Sequence, residues 1–480
     1  MAAPMYSGAN LLFLEVSGVF FGLSIYILTV INNEQPEPYM DEIFHIPQAQ
    51  SYCEGNFTKW DPMITTLPGL YLVSVGLLKP LAVLFKFHNL EFCTPFWLRS
   101  INVLFAVGNL YVIWCILWKL HYQTSKDFST NRALLAAINL TLFPVLYFFT
   151  FLYYTDAGSV FFALLLYLLS LHGNHAAAAA VGACAVAMRQ TNIVWAAFAC
   201  GCAVTARVTA YAQCGSTMER DDGRQLSERE YVDLLRAAMR RVLADPKRGV
   251  AGIARQVAAV AWPYAILAAG FVAFVAYNGS LVVGDRSSHR ASFHVPQLFY
   301  LCAFSTVFAF PFTVGRRTAA HFVRCLRRRP CLALGLAAAM LPAVHWLTYV
   351  HPYLLADNRH YPFYVWRKVF ERHALVRYLL VGAYVFALWS CYVRLCSRTP
   401  PWKLVFAACC SLATVPQSLL EFRYFILPYL MFRLHMRTFS PWKLSMELAF
   451  YVAVNVATLR LFLEKPFAWP DVSVKQRFMW

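Results

Sequence analysis

Apolar runs of roughly 20 residues, parted by short polar and charged segments, recur along the whole chain. The first, Leu11 to Ile31, is long enough to span a hydrocarbon core. It lacks a basic leader and a small-residue cleavage site, so it reads as a retained signal-anchor helix running from cytosol to lumen. Further runs cover Arg99 to Leu120, Arg132 to Thr150, Gly158 to Leu171, Ala176 to Met188, Ile193 to Ala206 and Val257 to Tyr277. Others cover Gln297 to Val314, Leu332 to Val350, Leu375 to Val393, Lys403 to Leu420, Phe425 to Leu434 and Leu444 to Leu463. The pattern predicts an all-α polytopic membrane protein with about 12–14 transmembrane helices and one membrane-embedded domain over residues 1–480. The first luminal loop spans about 32–95. Its middle, Leu67 to Phe87, is apolar but broken by Pro68, Gly69, Gly76 and Pro80. It is either a full span or a helix lying in the interface. The interfacial reading is preferred, because Arg99 to Leu120 then descends to a side carrying Lys119 and Arg132.

Composition agrees. Of 480 residues, 59% are hydrophobic and 14% charged, with a mean hydropathy of +0.50; a soluble domain carries about 25% charged residues. Membrane lipids are the expected surroundings. The net charge of +18 sits largely in loops such as Arg316-Arg317 and Arg327-Arg328-Arg329, as positive-inside topology produces. With no nucleic-acid-binding motif, nucleic acid is excluded as a partner. The stretch of about 207–255, with ten basic and seven acidic residues, reads as a solvated cytosolic loop with helical parts. Most of the 14 cysteines lie in apolar stretches and act as small hydrophobes. No set has zinc-ligand spacing. Cys53 and Cys93 both fall in the first luminal loop, where an oxidising lumen favours a disulfide. A full span at Leu67 to Phe87 would put Cys93 on the other side and forbid that bond.

Ionisable residues gather at the luminal ends of the predicted helices. Tyr39-Met40-Asp41-Glu42-Ile43-Phe44-His45 places two adjacent carboxylates and a histidine directly after the first helix, followed by an aromatic, turn-rich stretch with Trp60 and Asp61. Asp156, Arg189, Asp285, Arg286, His289, Asp357, Arg359, His360, Glu421 and Arg423 fall on the same side. Each alone fits a helix end or an ion pair, but charged groups at a bilayer edge are expensive and their convergence points to a site. The set suits transfer of a sugar from a lipid phosphate. A carboxylate, Asp41 or Glu42, takes the acceptor hydroxyl proton as an oxocarbenium-like centre develops. Arg189, Arg359 and His360 stabilise the departing phosphate, and Tyr39, Trp60, Tyr153 and Tyr154 stack on sugar faces. Asp41 and His45, four apart, share a helix face in the manner of metal ligands. HExxH, DxD and a cysteine set are absent, and guanidinium alone can hold a phosphate, so neither metal nor cofactor is expected. Of three sequons, at Asn56, Asn139 and Asn278, the second lies inside a predicted span and is expected to be unused.

Three further motifs join these: Gly284-Asp285-Arg286-Ser287-Ser288-His289, Leu354-Leu355-Ala356-Asp357-Asn358-Arg359-His360-Tyr361 and Leu420-Glu421-Phe422-Arg423-Tyr424-Phe425. Together with Trp60 to Tyr71 and Arg189-Gln190-Thr191-Asn192, the chain resembles the dolichyl-phosphate-glucose-dependent alpha-1,2-glucosyltransferase family of N-glycan assembly. The similarity runs from the first helix to Gln476-Arg477-Phe478-Met479-Trp480, with Arg207 to Arg255 and the alanine-rich stretches free to drift. It implies a GT-C fold in the endoplasmic reticulum membrane with a luminal active site. The implied donor is dolichyl-phosphate-glucose. The implied acceptor is the dolichyl-diphosphate-linked Glc2Man9GlcNAc2 oligosaccharide, which receives its last glucose with inversion and hence by single displacement. The base in GT-C enzymes is an acidic residue of the first luminal loop, here Asp41, with Glu42 the alternative. The rivals are a transporter and a non-enzymatic membrane regulator. A transporter is expected to show an inverted repeat and midplane charges, and neither is present in the sequence.

Overall fold

The computed structural model describes residues 7–86, 91–122, 124–125, 127–214, 228–286, 291–437, 439–470 and 472–480. Helix α1 (Ser7–Glu34) leads to α2 (Glu42–Cys53) and α3 (Gly69–Leu84), and α4 (Pro95–His121) carries the chain back. The pair α5 (Thr130–Thr141) and α6 (Pro144–Phe149) is followed by α7 (Asp156–Leu171), α8 (His175–Met188) and α9 (Ile193–Cys214). Next come α10 (Glu228–Ala244), α11 (Pro246–Asn278), and the pair α12 (Pro296–Phe308) and α13 (Phe310–Thr313). The basic helix α14 (Arg316–Arg328) precedes α15 (Pro330–Trp346), then short α16 (Pro352–Ala356) and α17 (Tyr361–Val365). Helices α18 (Val376–Arg394), α19 (Pro400–Thr414), α20 (Ile426–Leu434) and α21 (Pro441–Glu464) complete the bundle. Proline stands in the first turn of α4, α6, α11, α12, α15, α19 and α21. Its fixed φ suits a helix start, and its missing N–H has no intrahelical partner there anyway.

Hydrogen bonds sort the connections onto two faces. On the first, Tyr39 meets Arg477, Asp41 meets Tyr154, Gln190 meets Thr65 and His294 meets Val415. On the second, His121 meets Leu434, Glu228 meets Lys403 and Arg394 meets Thr318. The pairs α5–α6 and α12–α13 make one passage each, and α1, α4, α7, α8, α9, α11, α15, α18, α19, α20 and α21 one apiece. Among the described residues the chain therefore passes between the faces thirteen times. Among the described residues six helices are long and apolar enough to cross a membrane alone, within 10–34, 95–121, 190–213, 246–278, 376–394 and 441–464, and five shorter apolar helices accompany them.

One expectation holds and two are refined. Cys53 and Cys93 are joined in a disulfide, with Cα atoms 6.7 Å apart. The ends of the 53–93 segment therefore lie on one face, and α3 is not a full span. The stretch 207–255 is less a loop than expected: α9 runs on to Cys214 and α11 begins at Pro246 with α10 between them. Finally, the chain is not wholly α-helical. Strands β1 (Phe467–Trp469) and β2 (Val472–Gln476) form an antiparallel ribbon, and Met479 pairs with the backbone of Arg359 and Tyr361.

The core is aromatic, with Phe143 ringed by Phe304, Phe308, Tyr429 and Tyr451. Two ion pairs are sealed inside it. Arg433 meets Glu447 at 2.8 Å, and Asn139 donates to the same carboxylate, which leaves the Asn139 sequon fully buried. The other pair, Glu42 with Arg99, shapes the site.

Candidate active site

Helix α2 begins at the site. Asp41 is its N-cap and Glu42 its first residue, so their side chains diverge. Glu42 turns inward and is fully buried. Its carboxylate accepts from Arg99 Nε at 2.9 Å and Nη2 at 2.7 Å, and from the backbone N–H groups of Tyr39 and Tyr153 at 3.0 and 2.6 Å. Arg99 in turn donates to the carbonyls of Gln35 and Glu37. The pair thus ties the end of α1, the start of α4 and the turn after α6 into one unit. Asp41 turns outward, with a side chain 45% exposed, and its backbone N–H donates to the Tyr154 hydroxyl.

Two cavities meet at Asp41. One, of about 290 Å³, is lined by Tyr353, Asp357, Arg359, His360, Phe363 and Trp480. The other, of about 340 Å³, is lined by His45, Thr65, Arg189, Gln190, Thr191 and Asp285. Asp41, Tyr154, Glu421 and Arg423 border both. Arg423 sits between them. It reaches Asp41 at 3.4 Å, Asp156 at 3.9 Å and Glu421 at 2.8 Å, over the rings of Phe149 and Tyr154. Burial alone would raise the Asp41 carboxyl, but Arg423, joined by His45 and His360 when acid protonates them, outweighs it and holds the group below the usual aspartate value. Burial, reinforced by Arg423 and Arg189 and opposed by Asp41, lowers the His45 imidazole, which pairs through Nδ1 with the Tyr71 hydroxyl. His45 is accordingly neutral near pH 7 and presents a hydrogen-bonding group rather than a charge.

In the smaller cavity Arg359 forms a fork on Asp357, Nε to Oδ1 at 2.8 Å and Nη2 to Oδ2 at 2.7 Å, stacked 4.7 Å from Trp469 and donating to Gln476. Burial opposes ionisation of Asp357, and the Arg359 hydrogen bond with the charge of His360 overcomes it, so the carboxyl lies below its ordinary value. His360 Nδ1 lies 2.9 Å from the Trp480 carbonyl. The ribbon and its following residues thereby form one wall, and Tyr39 exchanges hydrogen bonds with Arg477 behind it. In the larger cavity Arg189 pairs with buried Asp156 at 3.1 Å. Asp285 is carried in by close packing at Gly284, where a Cβ would overlap the carbonyl oxygens of Pro62 and Ile64.

Of the residues expected at the site, Asp41, His45, Arg189, Asp285, Asp357, Arg359, His360, Glu421 and Arg423 line these cavities, with Asp156 immediately behind. Glu42 does not: no oxygen of it is free to meet a substrate. Nor do four others. Tyr153 is buried with its hydroxyl on Ser74, and Trp60 packs edge-on to Tyr71. Asp61 accepts the Met63 N–H at 2.8 Å, and exposed Arg286 donates to the Asn278 carbonyl at 2.6 Å. His289 lies outside the described residues. Sequence reasoning missed Tyr353, Gln190, Thr191 and the wall made by Trp469, Gln476 and Trp480, since no charge cluster marks them.

A bundle passing repeatedly through a membrane, with a charged, aromatic-lined double cavity at one face, defines a polytopic membrane protein with an enclosed polar site. A family model described as the DIE2/ALG10 family matches residues 35–434, and the chain belongs to that family. It is 44% identical over 464 residues to a mouse protein named Dol-P-Glc:Glc(2)Man(9)GlcNAc(2)-PP-Dol alpha-1,2-glucosyltransferase, covering 96% of this chain and 97% of that one. A human protein of the same name is 43% identical with the same coverage, and one from Arabidopsis thaliana is 34% identical over 94% of this chain and 96% of its own. No solved structure matches the chain.

Proposed function

We propose that this chain is an inverting glucosyltransferase of the endoplasmic reticulum membrane. It adds the terminal alpha-1,2-linked glucose from dolichyl-phosphate-glucose to the dolichyl-diphosphate-linked Glc2Man9GlcNAc2 oligosaccharide. Residues 1–480 act as one GT-C unit with the double cavity on the luminal side. The observation that carries this is the Asp41 carboxylate, exposed at the junction of two cavities and held ionised by Arg423.

In this reading the acceptor sugar occupies the larger cavity, where His45, Gln190, Thr191 and Asp285 offer hydrogen bonds. The donor phosphate occupies the smaller one beside Arg359 and His360. Asp41 takes the proton of the acceptor hydroxyl as its oxygen bonds to glucose C1 and the C1–O bond to phosphate breaks. The bonding pair leaves with dolichyl phosphate, and a single displacement inverts C1. Glu42 has no part in the chemistry: both oxygens are already engaged.

Purified protein given both lipid-linked substrates should add one hexose to the acceptor. Asp41→Asn should lose about 10²–10⁴-fold in rate with its thermal transition unchanged. Near wild-type turnover by that variant would overturn the assignment of the base. An absence of transfer by the wild-type protein would favour a transporter or a non-enzymatic regulator.

A further inference from the structure

The face opposite the double cavity carries a second polar feature that the transfer reaction does not use. The loop between α18 and α19 and the loop between α20 and α21 come together there, beside His121 at the far end of α4. The rise of α4 from Arg99 to His121 puts this point roughly 33 Å from Arg99. Arg394 ends α18, and Arg398 and Arg437 lie one on each of these loops. Arg437 lies near enough to Arg398 to disfavour its charge, and Cys396 lies within electrostatic reach of both Arg394 and Arg437.

What sets the cluster apart is the missing partner. Among the described residues, every buried guanidinium nitrogen without an acceptor belongs to these three side chains: Nε of Arg394, Nε and Nη2 of Arg398, and Nε of Arg437. The hydroxyl of Ser397 beside them is also buried and unpaired. Arg394 donates through Nη2 to Thr318, and Arg398 leans on the Trp402 ring at 5.9 Å. None of the three forms an ion pair with a carboxylate among the described residues. Burial first, and then Arg437, push Arg398 down to about 10 against the opposing pull of Tyr167. By contrast, the buried Arg99 and Arg433 each meet a carboxylate through two nitrogens. Three like charges with donors aimed at no acceptor call for an anion with several oxygens.

We propose that Arg394, Arg398 and Arg437 bind one phosphate group on the face opposite the double cavity. Planar guanidinium forks match phosphate oxygens, and the Ser397 hydroxyl adds a donor. The cluster lies where the ends of α18 and α20 meet the starts of α19 and α21. Basic pockets at such helix ends take the headgroup phosphate of an anionic lipid, and a free phosphate offers the same chemistry.

The test uses the full chain purified in a neutral detergent and observed by native mass spectrometry. Phosphatidylinositol, phosphatidylcholine and inorganic phosphate are added in separate arms. Retention of one phosphatidylinositol, about tenfold more tightly than phosphatidylcholine, supports the site with a lipid as its source. Binding of inorganic phosphate, with displacement of the lipid, supports the site with a soluble source. Arg398→Gln with Arg437→Gln should lose the bound species about tenfold or more, while hexose transfer in phosphatidylcholine is unchanged. If the double variant does not fold, Arg398→Lys keeps the charge but not the fork and should still weaken binding several-fold. Equal retention by wild type and by a folded variant overturns the proposal, as does a wild-type protein that retains neither phosphate species.

Discussion

Glu42 and Arg99 face each other across two hydrogen bonds of 2.9 and 2.7 Å, with neither side chain reaching solvent. Their contribution is architectural. Removing one partner leaves an uncompensated buried charge, which costs about 3–5 kcal/mol. Arg99→Ala is therefore expected to lower the thermal transition sharply and reduce folded yield, with turnover per folded molecule much less affected than in Asp41→Asn. Fluorescence-detected unfolding alongside a hexose-transfer assay on the folded fraction checks both halves. Loss of turnover with an unchanged transition would place this pair in the chemistry instead.

The depressed Asp41 carboxyl sets the pH dependence. A carboxylate with a lowered pKa in the folded state stays ionised as pH falls through the ordinary aspartate value of about 4, and is lost only below it. The acid limb of kcat/KM is expected below the value for a free aspartate, with no loss of the base between pH 5 and 8. In Arg423→Gln, burial is less opposed and the limb should move to higher pH. An unmoved limb would mean that another group titrates. Asp357 is lowered by the same logic, so its pairing with Arg359 also weakens only on strong acidification.

Arg359 is held on Asp357, Gln476 and Trp469 with its guanidinium still bordering the smaller cavity. Such pre-set geometry favours phosphate, because the side chain is already ordered. Arg359→Ala is expected to weaken donor affinity and to slow transfer by about tenfold or more. Arg359→Lys should restore little, since a point charge cannot form the fork. Donor titration by single-turnover kinetics reads both, and an unaltered donor affinity would remove Arg359 from phosphate binding.

The Cys53–Cys93 bond closes a separation of 40 residues, and Gln50 donates to the Cys93 carbonyl beside it. In the chain-entropy model such a link stabilises by about 3–4 kcal/mol. Non-reducing peptide mapping should recover the 53–93 pair. Cys53→Ser with Cys93→Ser should lower the unfolding transition and loosen the 54–92 segment in hydrogen exchange. Two free thiols in protein from an oxidising compartment would contradict the bond.

Much of the bundle was legible because apolar runs mark its helices directly. Asp41, Arg359, His360, Glu421 and Arg423 were legible as well, since charge at a bilayer edge has few inexpensive explanations. What escaped was direction. Asp41 and Glu42 are adjacent, and only the turn of α2 sends one outward and the other to Arg99, 57 residues away. Tyr153 and Tyr154 part in the same manner, one to Ser74 and one to Asp41. The ribbon at 467–476 was invisible because two strands this short carry almost no periodic signal. Its partner Arg359, and Tyr39 which meets the following Arg477, lie far off in sequence.

Tyr39 and Arg477 meet through hydrogen bonds of 2.7 and 2.8 Å across 438 residues. Their meeting imposes a rule of parity. Both residues must sit on the same face, so the passages between them must be even in number, and α1 makes the total odd. A chain that skips one helix during membrane insertion, or adds one, strands Arg477 across the bilayer from Tyr39. No local rearrangement can repair that. The wall beside Arg359 then cannot form, so the charged cavity closes only in molecules that make an even number of crossings between Tyr39 and Arg477.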